Sequence, residues 1–401
     1  MTTEQLLFAA AALMAVTALA LGLARRLNLG SIAALLTVGM LLGPHSPVPL
    51  FTSHISDLQA FGEIGVMLLL FVAGLETQPH RLWSIRGWVL GFGCIAFFAP
   101  GAAIAGFLLA VSKVNWQSAL VIGQGLAMSS SAIALSILQT RDKAESAQGR
   151  ITIAEDIFQT LILIPILAVI PLLGDMSHAG AESPTAMNVL QVLGALVGVF
   201  LLGRFLLPHL LGFVTRHAGG ENFALVVFAA VFAAAWVTEK VGVSMALGAF
   251  MMGQLLSTSA FSTQVKTAVM PARQVLLGVF FVAVGMAINL HEAVAFRAEL
   301  FLYLSAVLLL KLVVVYCVAR AFRVEPRNAF LGAMYLMPLD ETCYVIFASA
   351  NAHGLLSARG YALALLAISF SFLVSPIAIN FGLQFAGRWE TADVPRAGRS
   401  R

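Results

Sequence analysis

The chain has 401 residues, 60% hydrophobic and 10% charged, with a formal net charge of +4 and a mean hydropathy of +0.93. Soluble globular chains are about 45–50% apolar and about 25% charged, so this composition excludes a water-soluble enzyme and also a disordered chain, leaving an all-α polytopic membrane protein. The basic residues sit in short loops between apolar stretches rather than in a patch, so no nucleic-acid partner is expected. Cys94, Cys317 and Cys343 are far apart, without a CxxC, and read as small core residues. No cofactor and no fixed metal is expected.

Apolar segments fall near 6–24, 30–44, 58–75, 88–111, 118–138, 150–173, 187–207, 222–238, 241–257, 274–290, 299–319, 328–352 and 361–385, thirteen in all. Most match the roughly 17–25 residues that cross a hydrocarbon core about 30 Å thick. Residues 1–24 lack a basic n-region and read as a retained first span rather than a signal peptide. With the N-terminus outside, eighteen of the 23 Lys and Arg fall in inside loops, four in outside loops, and Lys311 within a span. That bias is the positive-inside rule, and it places the C-terminus in the cytoplasm. Residues 1–386 are read as the membrane domain and 387–401 as a short cytoplasmic tail.

Ionisable residues at bilayer depth are costly and are candidates for function. At a rise of about 1.5 Å per residue, Lys311, Asp340, Glu341 and Thr160 lie near mid-membrane, with Glu155 and Asp156 about a turn closer to the cytoplasm. Two spans are expected to be interrupted at similar depth. The fifth carries Ser129, Ser130 and Ser131 after Met128, and the twelfth carries Met337-Pro338 before Asp340 and Glu341. Pro338 removes a backbone donor and clashes with the preceding turn. Paired interruptions in opposed halves point to a transporter's binding site, although serines and prolines also serve as ordinary packing and kink residues in membrane helices. The sixth and thirteenth spans share a faint signature that agrees with an inverted repeat: Thr160 stands five before Pro165, and Ser371 five before Pro376.

Six stretches in order, LGSIAALLTVGMLLGP (29–44), GEIGVMLLLFVAGLETQPHRLW (62–83), GLAMSSSAIALSIL (125–138), VGVSMALGAFMMGQLL (241–256), LLGVFFVAVGMAINL (276–290) and the Lys311 span, resemble the monovalent cation:proton antiporter-2 family. The likeness is strongest to the membrane domain of Kef-type potassium/proton antiporters. It implies the NhaA-like fold, with thirteen helices, crossed and broken helices 5 and 12, and a homodimer in a bacterial inner membrane. A C-terminal nucleotide-binding domain, and with it ligand gating of the Kef sort, is not expected in this chain. Kef-type members carry a Gln-Asp pair on the sixth helix, whose acid takes the cation and the proton in turn. Here Gln159 keeps its place and Thr160 stands for the Asp. Asp156 lies four residues earlier, one helical turn or about 6 Å away. Glu155 and Gln159 are likewise one turn apart. The carboxylate has therefore moved by a turn to Asp156, or the site uses Asp340 and Glu341.

The resemblance implies exchange of a monovalent cation, K⁺ or Na⁺, for protons. One buried carboxylate can hold either ion but not both, which couples their movements. Glu155, Asp156, Gln159, Thr160, Asp340 and Glu341 are the candidate ligands, Lys311 the charge partner, and Ser129, Ser130, Ser131 and Pro338 the lining of the breaks. The competing structural roles are a fixed counter-ion for Lys311, a funnel residue for Glu155, a scaffold residue for Asp156, and satisfaction of freed backbone groups for Asp340. Rival functions are an organic-anion symporter on the same fold and a degenerate carrier acting as sensor or partner subunit. A channel lacks a repeated filter segment.

Overall fold

A computed structural model describes residues 11, 14–22, 31–44, 55–76, 85–130, 133–134, 138, 145–177, 186–217, 219–287 and 297–392. Among them, every regular element is helical. In chain order these are α1 (Ser31–Leu42), α2 (Ile55–Glu76), α3 (Trp88–Val111, opening with a π-helical turn), α4 (Trp116–Ala127), α5 (Ala147–Ser177), α6 (Ala186–Leu201) and α7 (Leu207–His217), which a π-helical stretch joins. There follow α8 (Gly219–Lys240), α9 (Met245–Ser257), α10 (Ser262–Ala287), α11 (Arg297–Ala321), α12 (Pro326–Leu336), α13 (Thr342–Ala352) and α14 (Ala358–Ala392).

The described residues include seven helices long and apolar enough to cross a membrane, and shorter apolar helices at Ile64–Glu76 and Met245–Ser257. By contrast α4, α12 and α13, of 12, 11 and 11 residues, are each too short to cross. They are three of the halves of the two spans expected to be interrupted.

The chain forms two compact units. The first comprises Met1–Ser84, Thr160–Arg297 and Tyr344–Leu366; the second comprises Ile85–Gln159, Ala298–Cys343 and Ala367–Arg401.

In the first unit, α2 packs against α9 and α10, and α10 against α1. Glycines allow the backbones to touch. A Cβ on Gly74 would strike the Phe250 carbonyl oxygen, and one on Gly253 the Phe71 carbonyl oxygen. Gly39 and Gly285 play the same reciprocal part between α1 and α10. Without a hydrophobic drive between helices in lipid, such close van der Waals contact is the main attraction. Phe71, Val227, Val231, Ala249, Leu256 and Val265 fill the core around it.

Helix α10 starts at Ser262, twelve residues before the apolar segment at 274–290. The extension is polar, so hydropathy does not register it. Its exposed Lys266 reaches Glu76 at 2.5 Å.

In the second unit, α3 packs on α4, where a Cβ on Gly101 would collide with the Gln124 amide. Asn115 caps α4, its Oδ1 accepting from Ser118 N–H at 2.8 Å. Ala134, Leu138, Leu331, Tyr335, Ile379 and Ala386 form one core cluster, and Val315, Ala333 and Leu336 another on the α11–α12 side. Of the cysteines, Cys343 is buried, Cys94 is half-buried and Cys317 is exposed, which corrects the expectation of three core residues. An apolar segment in lipid presents apolar residues outward as well as inward.

Candidate functional site

Both expected interruptions are present, and they meet. Helix α4 ends at Ala127, and Met128 is extended (φ −61°, ψ 136°). Helical structure resumes with Ala134 N–H bonded to Ser130 O at 3.2 Å. Helix α12 ends at Leu336, before the Pro338 that cannot continue it. Ser129 and Leu339 then pair as an isolated antiparallel bridge, with Ser130 N–H on Pro338 O at 3.1 Å. Antiparallel pairing means the two broken chains run through the crossing in opposite directions.

The unwound peptide groups need partners away from water. Lys311, from the middle of α11, donates its ammonium to Met128 O at 2.6 Å and Pro338 O at 3.4 Å. It therefore sits on the carboxyl ends of both half-helices, where the helix dipole favours a cation. Gln159 clasps Ser129 from both sides of the residue: Oε1 accepts from Ser129 N–H at 2.8 Å and Nε2 donates to Ser129 O at 2.7 Å. Leu339 N–H goes to Ser371 Oγ at 3.1 Å. Asp340 caps α13, its Oδ2 accepting from Thr342 N–H at 3.1 Å and from the Thr342 hydroxyl. Aspartate is among the best N-caps, so the role of satisfying freed backbone groups is filled here by Asp340.

Glu155 lies one turn before Gln159 on α5 and is 1% exposed. Its Oε1 accepts from the Ser129 hydroxyl at 3.3 Å, while Oε2 is buried with no hydrogen-bond partner among the described residues. Lys311 is its strongest charged neighbour, ahead of Asp156 and Asp340. Lys311 is itself 1% exposed. Isolated buried charges cost several kcal/mol each, and the opposite charges of Lys311 and Glu155 offset part of that cost for each other.

Asp156, the next residue of the helix, is half-buried, and its Oδ1 accepts from Gln159 Nε2 at 3.3 Å. Glu341 and Thr160 are half-buried. Ser130 and Pro338 are buried within the crossing, and the Ser130 hydroxyl has no partner among the described residues. Ser131 lies outside the described residues. The crossing thus gathers Glu155, Gln159, Ser129, Ser130, Lys311, Pro338 and Asp340. Sequence reasoning missed the carbonyls of Met128 and Pro338 as ligands of Lys311, and it missed Ser371 as a partner of the break. The Ser371–Pro376 spacing noted in the sequence was the available signal for the latter, although the residue of α5 that plays the matching part is Gln159 rather than Thr160.

A cavity of about 340 Å³ occurs in the first unit, lined by Phe280, Tyr344, Ser349 and His353 among others; none of the sequence-predicted site residues lines it.

The sodium/hydrogen exchanger transmembrane family profile matches residues 11–384. The chain is 37% identical over 365 residues to the glutathione-regulated potassium-efflux system protein KefC of Cronobacter sakazakii, covering 90% of this chain and 58% of that protein. It is 36% identical over 362 residues to the protein of the same name from an Enterobacter species, with the same coverage. It therefore spans 58% of the length of these relatives. Among solved structures, the sodium proton antiporter MjNhaP1 of Methanocaldococcus jannaschii at pH 8 superposes with a TM-score of 0.67 at 15% identity, over 96% of this chain and all of that one. A second structure of the same antiporter gives 0.69 at 13% identity, over 99% of this chain. At such identities the likeness is one of fold.

Proposed function

Since the chain belongs to the sodium/hydrogen exchanger family, a family of antiporters rather than enzymes, we propose that it exchanges a monovalent cation, K⁺ or Na⁺, for protons across a membrane. The crossing is the exchange site and Glu155 its principal carboxylate. The observation that carries this reading is the buried Glu155 Oε2, with no hydrogen-bond partner among the described residues, beside two unwound helices.

A carboxylate in that position is neutralised by a proton or by a cation, and occupancy by one excludes the other. Hard alkali cations favour oxygen ligands. Glu155 supplies one, and the hydroxyls of Ser129 and Ser130 supply others, with Asp156 and Glu341 as the further carboxylates of the proposed site. When neither ion is bound, Lys311 balances the charge. Asp340 holds the start of α13 in place. Because Glu155 and Lys311 are buried, exchange requires the crossing to open to each side in turn.

The names of the relatives favour potassium and those of the structural neighbours sodium. The rest of the reading is a multi-pass protein of a bacterial inner membrane, N-terminus outside, working as a homodimer, with residues 1–386 as the exchange domain and 387–401 as a cytoplasmic tail.

The test is dissipation of a pH gradient in everted vesicles on adding K⁺, Na⁺ or Li⁺. A cation-dependent response in the native chain that disappears in Glu155→Gln supports the proposal. A response that survives in Glu155→Gln but disappears in Asp156→Asn moves the carboxylate to Asp156. No response of the native chain to any cation overturns exchange in favour of a degenerate carrier.

A further inference from the structure

At the bridge residue of each unwound stretch, the backbone N–H is satisfied by a side chain of another helix rather than by a helical turn. Ser129 N–H ends on Gln159 of α5, and Leu339 N–H on Ser371 of α14. Gln159 and Ser371 are thus counterparts, one in each half of the crossing. All four residues are buried.

What surrounds the two acceptors differs. One turn before Gln159 stands Glu155; one turn before Ser371 stands Ala367, buried and apolar. Gln159 holds Ser129 by its carbonyl as well as its N–H, at 2.7 Å and 2.8 Å. Ser371 is braced instead by its own helix, its Oγ 3.4 Å from Ser375 Oγ, with Ser375 Oγ donating to Ser371 O at 2.5 Å.

Fixing both polar groups of Ser129 fixes the direction of its Cα–Cβ bond. That direction brings the Ser129 hydroxyl to Glu155 Oε1 and leaves Oε2 as the open oxygen. We propose that Gln159 is a positioning residue for exchange, acting on Glu155 through Ser129, and that Ser371 is the matching clamp of the half without a carboxylate, holding the crossing but not setting the ion site. The inference rests on the reading of Glu155 as the exchange carboxylate.

The amide is the group this task requires. It offers a donor and an acceptor together, whereas a carboxylate accepts only and an alkyl group does neither. Without it, Ser129 N–H and C=O are left buried and unsatisfied, and the stretch relaxes away from the geometry that presents its hydroxyl to Glu155.

The experiment measures cation dose–response at several pH values in proteoliposomes of the full chain, with melting temperature alongside. Gln159→Leu is expected to raise the half-saturating cation concentration about tenfold, the equivalent of one net hydrogen bond, and to displace the pH profile. Ser371→Ala is expected to lower the maximal rate and the melting temperature while half-saturation and pH profile stay within about twofold, less than a net hydrogen bond. Ser371→Thr, which keeps the hydroxyl, restores both. If Gln159→Leu does not fold, Gln159→Glu keeps the acceptor for Ser129 N–H and is read the same way. A Gln159 variant that loses only rate and melting temperature, as Ser371→Ala does, overturns the positioning role. Glu155→Gln with intact exchange overturns the reading of the site itself. Loss of exchange in Glu155→Gln together with an unshifted Gln159 profile removes the positioning role alone.

Discussion

In the first unit, α2 and α9 approach until a single added Cβ on Gly74 or Gly253 would meet main chain, and the core around them is apolar. In the second, α4 and α12 stop short, and their free ends are tied by Lys311, Gln159, Ser371 and Asp340. Among the described residues, every buried polar or charged side chain except Thr238 and Ser349 falls in the second unit. Packing holds one region and buried polar bonding holds the other. Dry close packing has no use for an ion. In the proposed exchange, the crossing held by charges and unwound carbonyls is the region that takes the ion.

The sharpest way to break this contrast is Lys311→Met. It removes the donor to Met128 O and Pro338 O and leaves Glu155 without its main counter-charge. Breaking one partner out of a buried charge pair costs about 3–5 kcal/mol. A large fall in melting temperature in detergent and loss of exchange are expected. The double variant Lys311→Met with Glu155→Gln should melt higher than the sum of the single losses predicts, since it leaves no orphan charge. Additive losses would separate the two residues energetically.

Next in size is Gly253→Ala, which pushes a methyl group into the Phe71 backbone. Overpacking of this kind costs about 1–3 kcal/mol. The expected outcome is a lower melting temperature with the cation half-saturation unchanged in the protein that remains folded. A shifted half-saturation would show that packing in the first unit also sets the ion site.

The smallest effect is expected at the surface. Lys266 and Glu76 are 45% and 51% exposed in their side chains, and an exposed pair contributes at most about 1 kcal/mol. Lys266→Gln should change the melting temperature slightly, and less at high salt than at low salt.

Much of this architecture was legible from residues alone. The expected span at 88–111 is α3 to the residue, and that at 299–319 lies within α11. Hydropathy is a local property, and lipid enforces it along each crossing segment. The two breaks were legible for a similar reason: Pro338 cannot donate an N–H, and the hydroxyls of Ser129 and Ser130 compete with helical bonding. The mid-membrane ionisable residues announced themselves by their cost. The polar start of α10 did not, because a helix leaving the hydrocarbon loses the only signal that marked it.

What the residues could not say is which of two adjacent acids turns inward. Glu155 and Asp156 differ by about 100° around α5, and in a membrane helix the lipid-facing side is as apolar as the packed one, so no pattern distinguishes the faces. Tertiary structure decided it by seating Gln159 against Ser129, thirty residues away in the chain, which carries Glu155 in with it. The same holds for Lys311, whose partner at Met128 is 183 residues distant. The chain alone determined that it spans a membrane, where its helices break and which charges lie at depth, because each of these follows from a short stretch of backbone in lipid. Only the fold decided which charges meet, because a buried hydrogen bond is set by the packing of helices remote from one another in the chain.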